Sequence, residues 1–191
     1  MALSGIGSLA RYTELNNAFA SAYFSSDRAG EPVYLDLDDD ALTKVARVVE
    51  VGAGKAVDEM TAAVRSMLAI RQPGTAMFDA FSERLSRWAR RVNRGAQLDD
   101  GSLPPPPIIV LLAVFTLAAE QMGLADEAMG DNAYYPRLYK LLNIPESDHN
   151  RFRSDFYKVS EWYWECLAAW LEMMDGDRGL PSAYALRVRA N

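Results

Sequence analysis

Arg84, Arg87, Arg91 and Arg94 stand at offsets of 0, 3, 7 and 10, with Arg90 adjacent, so one side of a helix over 77–94 carries a row of guanidinium groups. Such planar, permanently charged forks clamp phosphates or carboxylates bidentately. The competing reading is a solvated face paired with acidic turns elsewhere in the chain. The four arginines are therefore candidate anion or nucleic-acid contacts.

A second concentration is aromatic. Tyr134-Tyr135-Pro136-Arg137-Leu138 and Trp162-Tyr163-Trp164 gather rings near Arg151, Arg153 and Lys158. Stacking beside cations is how single strands are held, whereas helical spacing puts most of these rings on a buried stripe. Trp162 and Trp164 cannot both face inward with Tyr163. At least one is expected to be exposed or covered by a partner, which makes both candidate partner contacts.

The remaining motifs fail at identifiable positions. With His149 as the single histidine, a His-dependent dyad or a two-histidine metal site cannot form within one chain. Its place at a helix start beside Arg151 and Arg153 predicts a surface histidine. Asp36, Asp38 and Asp40 have the opening of a calcium loop, but Ala41 replaces the turn glycine and Arg47 the bidentate glutamate. Gly52-Ala-Gly54-Lys55 ends like a phosphate loop, yet Val49 stands for its first glycine and Ala56 for its hydroxyl, with no strand before it. Gly5-Ile-Gly7-Ser-Leu-Ala10 leaves no room upstream for a dinucleotide-binding strand. Cys166 lies among aromatics at helical spacing, as a buried, inert thiol would. No catalytic, cofactor-binding or metal site is expected.

Composition narrows the classes further. The chain has 191 residues, half of them hydrophobic and 24% charged, enough for one domain burying roughly 70% of its unfolded surface. The formal net charge of -6 is spread over both halves, 12 basic against 14 acidic residues up to position 100 and 8 against 12 beyond. It gives no long-range attraction to nucleic acid or an anionic membrane, so any such contact must be local. One cysteine cannot form an internal disulfide, and Met1-Ala-Leu-Ser-Gly-Ile-Gly7 has neither the basic nor the apolar region of a signal peptide. The longest apolar run is twelve residues, against about 20 for a membrane span. The expectation is a cytoplasmic protein without a membrane segment.

The elements that must position these residues read as helices. Leu9, Tyr12, Leu15, Phe19 and Tyr23 mark a first helix over 8–24, and Val33, Leu35 and Leu37 a short extended piece. Asp38-Asp39-Asp40 start a second helix, Gly52-Ala-Gly54 end it, and Val57 to Leu68 form a third, stopped by Pro73-Gly74. Phe78, Phe81, Leu85, Trp88 and Val92 give the arginine-bearing helix its apolar side. A polar, then proline-rich connection over 95–107 follows and reads as a hinge between two halves. Pro104 to Pro107 run into Ile108 and a helix over 108–122 that is apolar all round, so it must be surrounded by protein. Pro136 suits the first turn of a short helix through Leu142. Phe152, Phe156, Val159, Tyr163, Cys166, Trp170 and Met174 mark a last long one. Pro181 to Leu186 looks like a further helix beginning, which suggests the N-terminal part of a longer protein.

Asn132-Ala-Tyr-Tyr-Pro-Arg-Leu-Tyr-Lys-Leu-Leu142, the Trp-containing helix, Gly179-Leu-Pro-Ser-Ala-Tyr184 and the proline entry to the apolar helix resemble the N-terminal helical region of large actinobacterial proteins. The resemblance covers roughly the last 90 residues. It implies an association with anti-phage defence and carries over no catalytic residues. The expected fold is all-α, an irregular single-domain bundle of about seven helices around 108–122. The expected function is a non-catalytic protein-interaction or scaffolding module of a larger bacterial protein or complex. The alternative is a nucleic-acid-contacting domain using Arg84, Arg87, Arg91 and Arg94; a third reading is a small-molecule sensor with a cavity among the Trp and Tyr rings.

Overall fold

The computed structural model describes residues 3–24, 37, 39–70, 74–123 and 131–173. These form seven α-helices: α1 (Leu3–Tyr23), α2 (Asp39–Val48), α3 (Ala56–Ala69), α4 (Asp79–Val92), α5 (Ile109–Gly123), α6 (Asp131–Leu142) and α7 (His149–Met173). Two short 3-10 turns, Ala53–Lys55 and Glu146–Asp148, lead into α3 and α7. There is no strand among the described residues, and the fold is all-α. Of the extended piece expected at 33–37, only Leu37 lies within them, its amide held by Glu120 Oε1 at 3.0 Å. The helix expected after Pro181 lies outside them.

α5 is the axis of the bundle. Every side chain from Ile108 to Thr116 is buried, because α1, α3, α6 and α7 all pack against this helix. One buried cluster draws on all seven helices, from Tyr12 on α1 to Leu171 on α7. Phe78, Phe115, Phe152 and Phe156 meet in it edge-to-face, with Phe115 and Phe156 centroids 4.8 Å apart, a geometry that adds to simple burial. Among the described residues no helix is long and apolar enough to cross a membrane.

A proline-led helix start has a hydrogen-bonding problem that neighbouring helices solve. The first amides of a helix lack intrahelical acceptors, and here they are buried away from water. Asn16, on α1 and only 3% exposed, supplies the missing group. Its Oδ1 accepts from Ile109 N at 2.9 Å and more weakly from Val110 N at 3.4 Å, while its Nδ2 donates to Pro106 O at 3.0 Å. One turn earlier, the Tyr12 hydroxyl donates to Pro107 O at 3.1 Å. Ile108 N reaches Pro106 O at 2.8 Å. α5 is thus capped from a different helix. Trp88 on α4 adds a bond from Nε1 to Pro104 O at 2.8 Å. The segment read as a hinge is bonded to α1 and α4 at Pro104, Pro106 and Pro107.

α7 is fastened to the turn before α4. Asp155 Oδ2 accepts from Met77 N at 3.0 Å, the Arg151 guanidinium donates to Thr75 O, and the Tyr163 hydroxyl lies 3.2 Å from Phe78 O and 2.8 Å from Ser82 Oγ. Burial alone would raise the Asp155 carboxyl, but the Met77 amide, Lys158 at 3.0 Å and Arg151 at 3.8 Å together hold it below its usual value.

Two helix ends differ from the sequence expectation. Pro136 sits inside α6, since the helix begins at Asp131. Its missing N–H leaves only the Asn132 carbonyl without its usual partner, and Arg137 stiffens the turn by donating to Ala133 O at 2.7 Å and across to Gln121 O at 3.2 Å. α4 stops at Val92, short of Arg94. Gly95, at a φ of 82°, turns the chain into the left-handed region, bonding its amide to Val92 O at 2.8 Å and that of Ala96 to Arg91 O at 3.0 Å.

Candidate anion-binding cleft

Three of the four candidate arginines face a shared space. Arg84, Arg87 and Arg91 line a cleft of about 730 Å³ between α1, α4 and the 98–107 connection. Arg94 is not among its lining residues, because the helix that would have carried it onto the row has already ended. The opposite rim is polar: Thr13, Asn17 and Ser21 recur every fourth residue of α1 and are exposed. Leu98, Leu103, Pro104 and Pro105 make an apolar wall, with Leu98 47% exposed. At another part of the lining lie Phe24 and Trp170, whose rings meet edge-on at 5.7 Å.

The electrostatics of this space are uneven. Arg11 binds Glu59 at 3.1 Å and Glu14 at 2.8 Å, and Arg65 donates to Leu141 O at 3.0 Å, so those guanidiniums serve the framework. Among the described residues Arg84 and Arg91 have no hydrogen-bond or ion-pair partner, and Arg87 has only Glu83 of its own helix, 3.8 Å away and exposed. Among the described residues no carboxylate of another element forms an ion pair with the row; the acidic stretches within 25–36 and 124–130 lie outside them. Arg84 is half-buried, and desolvation together with the nearby Arg87 pushes its guanidinium below the usual value. The one carboxylate in the lining, Asp100, takes the amide and hydroxyl of Ser102 at 2.9 and 2.6 Å, which hold it below its usual value. It pairs with none of the arginines.

The other singled-out residues lie elsewhere. Trp162 and Trp164 are both half-buried, packed against the core, and neither lines the cleft. His149 lies at the surface, half-buried: its ring stacks on Tyr139 at 3.8 Å and Nε2 sits 3.1 Å from Ile144 O. The Cys166 thiol is half-buried, and burial with Glu165 beside it pushes it up to about 11, far from a reactive thiolate. No group of three or more metal-ligating side chains occurs among the described residues. The Asp36–Arg47 segment, rejected as a calcium loop, is helical from Asp39.

Trp88 and Asn16 are the residues the sequence reading missed. Trp88 was legible only as an apolar position, and Asn16 not at all. The one available signal was physical: four prolines ahead of a buried helix leave donors that some polar residue must satisfy.

No known protein family, curated protein or solved structure matches this chain.

Proposed function

We propose that the chain is a protein-interaction module and that its binding surface is the cleft between α1 and α4. The observation that carries this reading is the set of Arg84, Arg87 and Arg91 on one concave wall, none of them paired, among the described residues, with Asp100 or any other carboxylate across the cleft. Like charges brought together, with Arg84 partly desolvated, raise the energy of the empty cleft, and an anionic group of a partner lowers it. The lining suits a peptide: guanidiniums for acids, the α1 hydroxyls and amide for main-chain groups, and the Leu98–Pro105 wall for an apolar side chain. The titratable groups that could serve acid–base chemistry support a binding role, since Asp155, His149 and Tyr163 are engaged in holding helices together.

A nucleic-acid contact is the second reading, favoured by the row itself, which runs about 10 Å along the helix from Arg84 to Arg91. Against it stands the net charge of -6, which repels an extended polyanion. The test is amide-resolved NMR titration with a short acidic peptide and, separately, with single-stranded RNA. The interaction reading expects peptide-induced shifts on α1 and α4 that vanish in the Arg84→Gln/Arg87→Gln/Arg91→Gln variant. Shifts that map to other helices would overturn it. Preferential, steeply salt-dependent RNA binding would favour the second reading.

A further inference from the structure

The same cleft carries a more specific assignment, which rests on the interaction reading above. Its cationic wall contains arginines and no lysine, so every positive group is a planar fork. One carboxylate has two oxygens and one negative charge, and a single guanidinium fork saturates it. Arg84, Arg87 and Arg91 offer three forks, and among the described residues none is ion-paired with a carboxylate of another element, Asp100 in the lining included. A phosphate monoester brings three acceptor oxygens and a charge of about -1.5 to -2 at neutral pH, which matches several forks at once.

Enclosure points to how that group arrives. The lining extends from Arg84 along α4, over the Leu98–Pro105 wall and across to Thr13, Asn17 and Ser21, well beyond the footprint of one phosphate. Exposed Asn17 and Ser21 offer an amide and a hydroxyl to main-chain partners, the Thr13 hydroxyl already donating to Leu9 O at 3.0 Å, and the half-exposed Leu98 beside prolines suits an aliphatic side chain. We infer that the cleft binds a phosphorylated peptide segment of a partner protein, with the phosphoryl group held by Arg84 and Arg87 and the flanking chain lying toward Leu98 and Arg91.

The pH dependence of such binding belongs to the ligand. The titratable and charged groups facing the phosphoryl position are Arg84, Arg87 and Arg91 from α4, Tyr12 from α1 and Asp100 from the connection. Burial raises Tyr12 and Ser102 lowers Asp100, which moves both away from the range between about pH 5 and 8. The phosphoserine monoester takes up its second proton near pH 6. Affinity therefore rises with pH through that region.

The experiment uses the full chain and a labelled peptide, Ala-Leu-Ala-phosphoserine-Leu-Ala, compared with the same peptide carrying serine or glutamate, with phenyl phosphate, and with a ten-nucleotide single-stranded RNA. Binding is followed by fluorescence anisotropy, and by competition for phenyl phosphate, at pH 5.0 and 7.5. The phosphopeptide is expected to bind at least tenfold tighter than either comparison peptide and more tightly than phenyl phosphate. Its affinity should be several-fold higher at pH 7.5, at least tenfold lower in Arg84→Gln and in Arg87→Gln, and within twofold of wild type in Arg90→Gln. Arg90 lies on the same helix outside the cleft, and circular dichroism checks that each variant is folded. Equal binding of the glutamate peptide, or affinity flat with pH, would overturn the phosphoryl assignment and leave the interaction reading standing. Equal binding of phenyl phosphate would overturn the peptide source. Peptide binding unchanged in the triple arginine variant would remove both readings, and no phosphopeptide binding, or RNA competing more strongly than the phosphopeptide, would overturn the inference.

Discussion

Replacing Asn16 by Leu should expose how much the bundle depends on one side chain. The substitution keeps the branched four-atom shape on a 3%-exposed position, at a somewhat larger volume, but removes Oδ1 from the Ile109 and Val110 amides and Nδ2 from Pro106 O. A buried polar group left without a partner costs roughly 1–3 kcal/mol. The bonds to Ile109 and Pro106, at 2.9 and 3.0 Å, are well formed, and the 3.4 Å contact to Val110 adds little. Two stranded groups then give a loss of roughly 4 kcal/mol, a large share of the 5–15 kcal/mol typical of a domain. Urea unfolding followed by far-ultraviolet circular dichroism measures it, with the slope of free energy against urea unchanged if only the folded state is affected. Tyr12→Phe, which strips the hydroxyl from Pro107 O, should cost about 1 kcal/mol and combine with Asn16→Leu less than additively, since both act on one helix start. A loss below about 1 kcal/mol for Asn16→Leu, with helix content intact, would refute the claim that α1 caps α5.

Three further outcomes follow from single sites. Asp155 has its carboxyl held low in the folded state, so the stability it contributes is present above its unfolded pKa and is lost as pH falls through the folded value. The urea midpoints of wild type and Asp155→Asn should accordingly differ at pH 7 and converge below about pH 4; a constant gap would contradict the linkage. Among the described residues the buried Thr116 hydroxyl has no hydrogen-bond partner, so Thr116→Val, which keeps its shape, should leave stability unchanged or raise it by about 1 kcal/mol, and a loss of that size would show that the hydroxyl is used. Cys166, its thiol pushed from 9.0 to about 11, should react with iodoacetamide at pH 8 roughly a hundredfold more slowly than an unperturbed cysteine, since that is the fall in thiolate fraction. A rate near that of the free amino acid would place the thiol in a different environment.

Helix α4 shows where reading the chain alone stops. Phe78, Phe81, Leu85 and Val92 made the helix and its buried face legible, because apolar spacing depends on nothing outside the segment. The arginine row on its other side was equally legible as a row. Whether carboxylates neutralise it was not, since the groups across from it lie on α1 and on residues 98–107. Arg94 dropped off the row because Gly95 ends the helix through a backbone conformation that apolar periodicity does not record. His149 read as a surface residue and lies there half-buried, its ring stacked on Tyr139, a contact between two helices.

The sequence by itself determined that the chain is helical and that 108–122 lies inside it, because a helix apolar on every face has no stable place in water. Only the tertiary structure decided how that helix can begin. The first amides of α5 have no intrahelical acceptors and lie in the interior, so an acceptor had to arrive from α1, and the packing that delivers Asn16 sets the Tyr12 ring of α1 against Phe81 of α4. The walls of the arginine-lined cleft are those same two helices and the proline segment they hold.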